Sequence, residues 1–171
     1  MSASAIPVNG FKFLPPKLSA WIKTFIPDEY SGDIPFQPLQ KPLDEARVAL
    51  VTSAGISVKT DSPFDMEREK KEPTQGDPSS RMIPHSVAVN DFEVNHLHIN
   101  ARPIIEDINV ILPVNRMAEL AEEGVIGDLA PTAYSFYGFQ WYRRDFLEEG
   151  IAPMIDQMKA ESVDAVLLTP A

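Results

Sequence analysis

The 171-residue sequence contains no cysteine. Without a thiol, these residues cannot form a disulfide, bind a metal through thiolates or supply a cysteine nucleophile. Basic residues are also few: 15 Lys and Arg stand against 25 Asp and Glu, which gives a formal net charge of −10. Because binding to phosphates depends on Lys and Arg, this balance disfavours nucleic acid and anionic membrane surfaces as partners.

Long apolar runs are missing as well. No run approaches the roughly 20 residues of a membrane-spanning helix, and the N-terminus lacks the basic-then-apolar order of a secretory signal. We therefore expect a cytoplasmic protein without a membrane partner. A hydrophobic content of 44% and a charged content of 23% are typical of a globular chain, and the length suits one domain with a sizeable core.

Proline, in contrast, is abundant. Most of the 16 prolines lie before residue 46 or between residues 63 and 84, so these stretches are predicted to be extended or looped. Residues 1–46 are predicted to form a proline-rich arm with one short amphipathic helix. Its apolar face is formed by Leu18, Trp21, Ile22 and Phe25. This helix either packs on the domain or docks a partner, and the sequence leaves both open.

Residues 59–84 are polar and are predicted to form one long loop. Within it, GDPSSRMIP places Ser79, Ser80 and Arg81 either in a surface turn, which the pattern favours, or around an anion held by the planar guanidinium.

The remaining segments alternate between strand and helix patterns. RVALVTSAGI predicts a buried strand and a turn at residues 47–56; the lone Gly55 is a weak nucleotide-binding signal, because the GxGxxG spacing is missing. Strands are also predicted within residues 87–100, 132–141 and 163–171, and helices near residues 115–123 and 143–160, with Pro153 in a first turn. This order predicts an α/β sheet with parallel crossovers.

Two of the three histidines, His96 and His98, are predicted to share one face of a strand. Such a pair can chelate a metal together with a nearby Asp91, Glu93 or Asp107. No third ligand stands at a convincing spacing, so we assign no metal site. A hydrogen-bonded structural role and a role in proton transfer both remain open.

Several segments occur together in a characteristic order: RVALVTSAGI, PFD, GDPSSRMIP, HLHIN, DINVILPVNRMAELAEEGVIG, YSFYGF and VDAVLLTPA. From about residue 47 to residue 171, the sequence resembles the selenoprotein B subunit family of glycine/sarcosine/betaine reductase, with its D-proline reductase relatives. The resemblance implies a Rossmann-like three-layer α/β domain over residues 47–171. Its mainly parallel sheet is expected to be incomplete at the C-terminus.

The resemblance also implies reductive chemistry at a selenocysteine or cysteine. In characterised members, a partner pyruvoyl subunit activates the substrate amine, and a selenolate then attacks the adjacent carbon and breaks the C–N bond. The reactive selenium follows a strand similar to VDAVLLTP. Because UGA encodes selenocysteine and is otherwise read as stop, we expect the redox residue just after Ala171, with no cofactor in this chain itself. The chain would then be the N-terminal portion of the reductase, inactive alone.

Candidate site residues come from the same resemblance. His96 and His98 are the candidates for substrate positioning or proton donation. The secondary, substrate-binding candidates are Asp77, Arg81, Asp107 and Asn109. Expected partners are a small-molecule substrate and either further reductase subunits or a thiol electron donor. Two alternatives stand beside this hypothesis: a non-catalytic binding or scaffold protein with the same fold, and a metal-dependent hydrolase built on the histidine pair.

Overall fold

The computed structural model of the protein describes residues 10–24, 37–72, 76–96, 99–138, 140 and 143–171. The chain divides into two compact units, Met1–Gln37 and Pro38–Ala171.

The first unit contains a 3₁₀ turn at Gly10–Phe13 and helix α1 at Pro16–Lys23. A proline is tolerated at the start of α1 because the first helical N–H has no partner within the helix. Thr24 caps the C-terminal end of α1, and its hydroxyl donates to the carbonyl of Trp21 at 2.6 Å. The predicted short helix is therefore confirmed, although Phe25 lies outside the described residues. None of the residues of α1 is buried.

The second unit is built on a mainly parallel sheet. In chain order, the strands are β1 (Arg47–Thr52), β2 (Ile56–Val58), β3 (Ser80–Pro84), β4 (Phe92–Val94), β5 (Asp128–Leu129), β6 (Thr132–Phe136) and β7 (Ala165–Thr169). Strand β1 is central: β5 and β6 pair along one of its sides and β7 along the other, all parallel to it. Strand β3 extends the sheet beyond β6 in the antiparallel direction, and β2 and β4 form a separate antiparallel pair. The predicted α/β order with parallel crossovers is confirmed.

Apart from 3₁₀ turns, the described residues of the second unit contain six helical segments. They are α2 (Met66–Lys71), α3 (Ala101–Glu106), α4 (Val114–Glu122), α5 (Arg143–Asp145), a π-helical stretch (Phe146–Ile151) and α6 (Ala152–Ala160). The predicted helix near residues 115–123 is α4, and Pro153 lies in the first turn of α6 as predicted. In the part of the chain that the structure describes, no helix is long and apolar enough to cross a bilayer.

Helices cover both faces of the central strand. Successive side chains of a strand point to opposite faces, and those of β1 belong to two separate cores. Val48 and Leu50 pack with apolar residues of α3, α4 and the connection between them. Ala49 and Val51 pack with Met154 of α6. The arrangement therefore has three layers around β1, and burial on both faces explains the continuous apolar run of this strand.

The prediction of one long loop over residues 59–84 is wrong, because the segment contains α2 and β3. Asp65 caps α2 by accepting a hydrogen bond from the backbone N–H of Arg68 at 2.9 Å. Ser80 and Arg81 belong to β3 rather than to a surface turn. Pro84 ends this strand at the edge of the sheet, where its missing N–H breaks little of the ladder.

The predicted strand across residues 87–100 is also mostly wrong. Among the described residues of this segment only β4 forms a strand, and its three residues match the length of its partner β2. The ladder ends at Val94, so His96 lies beyond the strand. His98 is outside the described residues, and the predicted shared face of the two histidines stays untested. The alternation of apolar and polar residues predicted a longer strand, but a strand extends only as far as it has a pairing partner, and β2 has three residues.

Candidate functional site

The carboxyl ends of β1, β6 and β7 meet at one end of the sheet. We call this end the edge of the site; it is distinct from the outermost strands of the sheet. In open α/β sheets, ligands bind at this edge. The N–H of Ser53, directly after β1, donates to the carbonyl of Thr169 at 3.2 Å. The Ser53 hydroxyl in turn accepts a hydrogen bond from the N–H of Ala171 at 3.0 Å. The end of β7 is therefore held against the turn that follows β1.

Gly55 joins this turn to the neighbouring segments. Its φ of +60° lies in the left-handed region, which favours glycine. Its N–H donates to the carbonyl of Phe136 at 3.0 Å, and its carbonyl accepts from the N–H of Asn95 at 2.8 Å. A Cβ at this position would lie 3.2 Å from the Asn95 carbonyl oxygen and 3.3 Å from the ring of Tyr137. The close approach depends on the absence of a side chain.

His96 is placed at the same edge. Its ring stacks on that of the buried Tyr137, with centroids 4.6 Å apart and an interplanar angle of 13°. The preceding Asn95 is buried, and its side-chain amide donates to the hydroxyl of Ser57 at 2.8 Å. The backbone directly before His96 is therefore anchored through Asn95. Histidine is a side chain that enzymes commonly use for proton transfer.

Buried hydroxyls fix the backbone below the edge. The hydroxyl of Thr52 accepts from the N–H of Ala54 at 3.2 Å, and that of Ser135 accepts from the N–H of Ile56 at 2.9 Å. Both hydroxyl side chains are fully buried. No functional role was predicted for these two residues from the sequence. One feature of the sequence could have indicated them: β1, β6 and β7 each have a Ser or Thr at or next to the last residue of an apolar run.

Thr169 connects the end of β7 to the helical layer. Its hydroxyl donates toward two carbonyl oxygens, that of Ile111 at 2.6 Å and that of Val51 at 3.1 Å. The connection between α3 and α4 is thereby tied to the same edge.

An apolar cavity of about 450 Å³ opens beside this edge. It is lined by Val51, Ser53, Phe136, Leu168, Thr169 and Pro170. The volume suits a small organic molecule. A second groove of about 470 Å³ lies between β4 and α3. We favour the first as the candidate site because it adjoins the strand ends.

Asp77 and Arg81 form a second, buried cluster. Asp77 accepts hydrogen bonds from the N–H groups of Asp65 and Ser79, each at 2.8 Å, and from the hydroxyl of Ser79. Burial alone would raise the pKa of Asp77, but these hydrogen bonds and the charge of Arg81 at 3.8 Å outweigh it and hold the pKa below its usual value. The carboxylate is therefore ionised at neutral pH.

The guanidinium of Arg81 is fully engaged within the chain. It donates to the carbonyls of Ser62 at 2.7 Å and Pro63 at 2.9 Å, and to the hydroxyl of Ser79 at 2.7 Å. It also lies 4.1 Å above the ring centre of Phe64. The cluster fixes the segment before β3, and the substrate-binding role of both residues stays a prediction.

Gln140 links this cluster to the edge of the sheet. Its side-chain amide lies 2.8 Å from the carbonyl of Asp77 and 2.8 Å from the carbonyl of Tyr137, and donates to both. Asp77 and the stacked Tyr137 are thus joined through one side chain.

Asp107 and Asn109 lie between α3 and α4. The carboxylate of Asp107 accepts from the backbone N–H of Asn109 at 2.9 Å and from its side-chain amide at 2.8 Å, and these bonds lower the pKa of Asp107. Asn109 accepts from the N–H of Asn115 at 3.0 Å and so caps the start of α4. Both residues shape the connection that contacts Thr169, and a direct role in binding stays a prediction. Among the described residues, no group of three or more His, Asp or Glu side chains is arranged to bind a metal.

The family model of the glycine/sarcosine/betaine reductase selenoprotein B matches residues 23–171. The chain belongs to this family. The resemblance found in the sequence is thereby confirmed. Helix α1 lies almost entirely before the matched region.

Three curated relatives are also similar to this selenoprotein B family member. D-proline reductase subunit gamma of Acetoanaerobium sticklandii is 39% identical over 132 residues, which are 77% of this chain and 51% of the relative. Sarcosine reductase complex component B subunit beta of Peptoclostridium acidaminophilum is 32% identical over 72% of this chain and 26% of its own length. Glycine reductase complex component B subunit gamma of Carboxydothermus hydrogenoformans is 32% identical over 80% of this chain and 30% of its own length.

The chain therefore spans about half the length of the first relative and a quarter to a third of the other two. All three are subunits of reductases by name. A comparison with solved structures gave no significant match.

Proposed function

We propose that this chain supplies the strand framework and part of the active site of a cytoplasmic, selenocysteine- or cysteine-dependent reductase that acts on a small molecule. The supporting observation is the edge where β1, β6 and β7 end together beside His96 and an apolar cavity. A Rossmann-like fold is proposed with it, because ligands of such folds bind at this edge.

In this proposal, the redox residue follows Ala171 and emerges beside Ser53. Backbone N–H groups beyond a strand end stabilise a thiolate or selenolate when a helix begins there. His96 supplies or removes the proton that bond cleavage requires, and the cavity holds the apolar part of the substrate. Electrons come from a thiol donor or from a partner subunit. Cleavage of a C–N bond is the reaction that the family resemblance implies.

The nucleotide sequence after the Ala171 codon tests the redox part of the proposal. A TGA codon followed by a reading frame similar to the family supports it. A TAA or TAG codon, or a TGA without such a frame, contradicts it. That second result would favour the non-catalytic binding protein, for which the lack of cysteine in this chain is the specific support.

A substitution pair tests the role of His96 in the reductase that includes the redox residue. His96→Gln is expected to lower kcat/KM by about 10² or more, as for loss of a proton-transfer group. His85→Gln is the matched control, because His85 follows β3 at the opposite, amino end of the parallel strands, where its N–H donates to the carbonyl of Pro131. Equal losses in both variants would remove the proposed role of His96.

A further inference from the structure

The first 27 residues differ in charge from the chain as a whole. They contain three lysines, Lys12, Lys17 and Lys23, and neither Asp nor Glu. The formal charge of this segment is therefore +3, whereas that of the whole chain is −10. The overall balance disfavours an anionic surface as a partner, but it does not describe this segment. Charges farther away than about 8 Å are largely screened at physiological ionic strength, so the local balance decides what the segment attracts.

Apolar side chains lie exposed among these lysines. Helix α1, which carries Lys17 and Lys23, has no buried residue. Leu18 and Trp21 are three positions apart and therefore lie on one side of the helix, where they are 40% and 60% exposed. Phe13, in the 3₁₀ turn before α1, is 81% exposed. A short basic helix with exposed Trp, Leu and Phe side chains is typical of a segment that lies in a membrane surface.

Helix α1 also lies outside the region that the chain shares with its family. The family model begins at residue 23, which is the last residue of α1. The helix belongs to the compact unit Met1–Gln37, and neither of the two cores of the second unit contains a residue of α1. Its exposed apolar side chains are therefore not explained by the packing of the α/β fold.

A groove on another protein fits this segment less well than a lipid surface does. Helix-in-groove docking uses apolar anchors that lie along one stripe of a helix. Phe13 is separated from α1 by Pro15 and Pro16, so it does not belong to such a stripe and would stay in water. Two α1 helices from separate copies would bring their lysines together and repel each other. A lipid surface accepts apolar side chains without a fixed spacing, and its anionic headgroups attract lysines.

We propose that the segment around α1 binds an anionic lipid surface. Phe13, Leu18 and Trp21 enter the interface between headgroups and acyl chains, and the lysines contact the lipid phosphates. With eight residues, α1 lies in the plane of the surface and does not cross the membrane. This binding involves no redox chemistry and stands apart from the proposed reductase activity.

Cosedimentation with lipid vesicles tests this binding. The recombinant 171-residue chain is mixed with vesicles of phosphatidylcholine alone, or of phosphatidylcholine and phosphatidylglycerol in equal parts. The anionic vesicles are expected to bind about tenfold more tightly or better. Raising the salt from about 0.01 M to about 1 M shortens the screening length from about 30 Å to about 3 Å and should remove most of this preference. Anionic vesicles should also shift the tryptophan emission of the unaltered chain to shorter wavelength, but not that of Trp21→Phe.

Two pairs of substitutions locate the binding on α1. Lys17→Glu is expected to weaken binding to anionic vesicles by about tenfold or more, whereas Lys159→Glu, the same charge change at an exposed residue of α6, should leave it nearly unchanged. Trp21→Ala is expected to weaken it by about tenfold or more, whereas Ile105→Ala, which truncates a 70% exposed side chain of α3, should leave it unchanged. Because α1 has no buried residue, neither α1 variant should change the urea midpoint of the second unit.

Three results would overturn the proposal. The first is a lack of preference for the anionic vesicles, and the second is an equal loss of binding in Lys17→Glu and Lys159→Glu. The third is a protein complex that forms without vesicle binding and is lost in Trp21→Ala: a dimer of the recombinant chain would favour a second copy, and a complex with a copurified subunit would favour a protein groove. Because no readout is turnover, these results are independent of whether a redox residue is found.

Discussion

Replacing Asp77 with alanine tests whether the buried Asp77–Arg81 cluster holds the fold together. Asp77 accepts three hydrogen bonds from Asp65 and Ser79, and Arg81 lies 3.8 Å away. Hydrogen bonds to a charged group contribute about 1.5–3 kcal/mol each. The contributions of the three hydrogen bonds do not add up in full, because in the variant water enters the space left by the carboxylate and Arg81 keeps its carbonyl acceptors. Breaking a buried ion pair costs about 3–5 kcal/mol, and this is the loss we expect.

Such a loss is large against a typical total stability of about 5–15 kcal/mol. The assay is urea unfolding followed by far-ultraviolet circular dichroism, with the midpoint and slope fitted separately. Glu106→Ala is the matched control, because it removes a carboxylate from an exposed pair in which Arg102 donates at 3.0 Å. Exposed pairs of this kind contribute about 0–1 kcal/mol.

The same variant also changes the acid sensitivity of the protein. The pKa of Asp77 lies below its ordinary value of 3.8 in the folded state. Its stabilising effect is therefore complete above about pH 4 and is lost as the pH falls through the folded-state pKa. Asp77→Ala should remove this part of the acid transition. If its unfolding free energy matches that of Glu106→Ala, the cluster is not structural, and Asp77 remains available for a substrate.

Three further predictions concern the framework of the fold. Gly127→Ala should lower the free energy of unfolding in urea by about 3 kcal/mol or more, since its Cβ would lie 2.4 Å from the carbonyl carbon of Glu45. Gly124→Ala is the control: with φ at +72° and no atom within contact distance, it should lower this free energy by only about 1 kcal/mol. Equal losses would contradict the steric argument. Burial, and to a lesser extent the charge of Glu161, raises the pKa of Tyr134 to about 12, so its contribution to the free energy of unfolding is present below pH 10 and is lost between pH 10 and about 12. Tyr134→Phe should reduce this alkaline loss when the free energy of unfolding is measured across that pH range. An unchanged pH dependence would refute the prediction. Thr169→Val should lower the free energy of unfolding by about 1 kcal/mol, because the hydrogen bond from its hydroxyl to the carbonyl of Ile111 is lost. Faster hydrogen exchange at β7 should accompany this loss. Unaltered exchange would show that this hydrogen bond does not hold β7 in place.

Most elements with long, regular patterns could be predicted from the sequence. The apolar run of β1, the helical period of α4 and the final strand β7 each carry their signal within about ten residues. Short elements could not be predicted in this way. Strand β3 is stabilised by pairing with β6, some 50 residues later in the chain, and β4 ends where its partner β2 ends. Local alternation contains no information about the length of a distant partner.

The candidate site was predictable only in part. His96 was a candidate because histidines are few and suited to proton transfer, and that role stays a prediction. The stack on Tyr137 and the contact of Gly55 with Asn95 join residues from separate parts of the chain, and no local pattern marks them. Asp77 and Arg81 were recognised as a pair of polar residues in one motif, but their burial and their internal hydrogen bonds were not.

By itself, the sequence determined the α/β class, the family and the apolar character of β7, because these depend on residue order and local periodicity. Only the tertiary structure decided that β7 pairs with β1 alone among the described strands, and that Val166, Leu167 and Leu168 are exposed on two faces of the sheet. A continuous apolar strand is the same in sequence whether its neighbours are present or not. The exposure of its side chains depends on how far α4 and α6, which pack on β1, extend over the neighbouring strand, and long-range packing sets that extent.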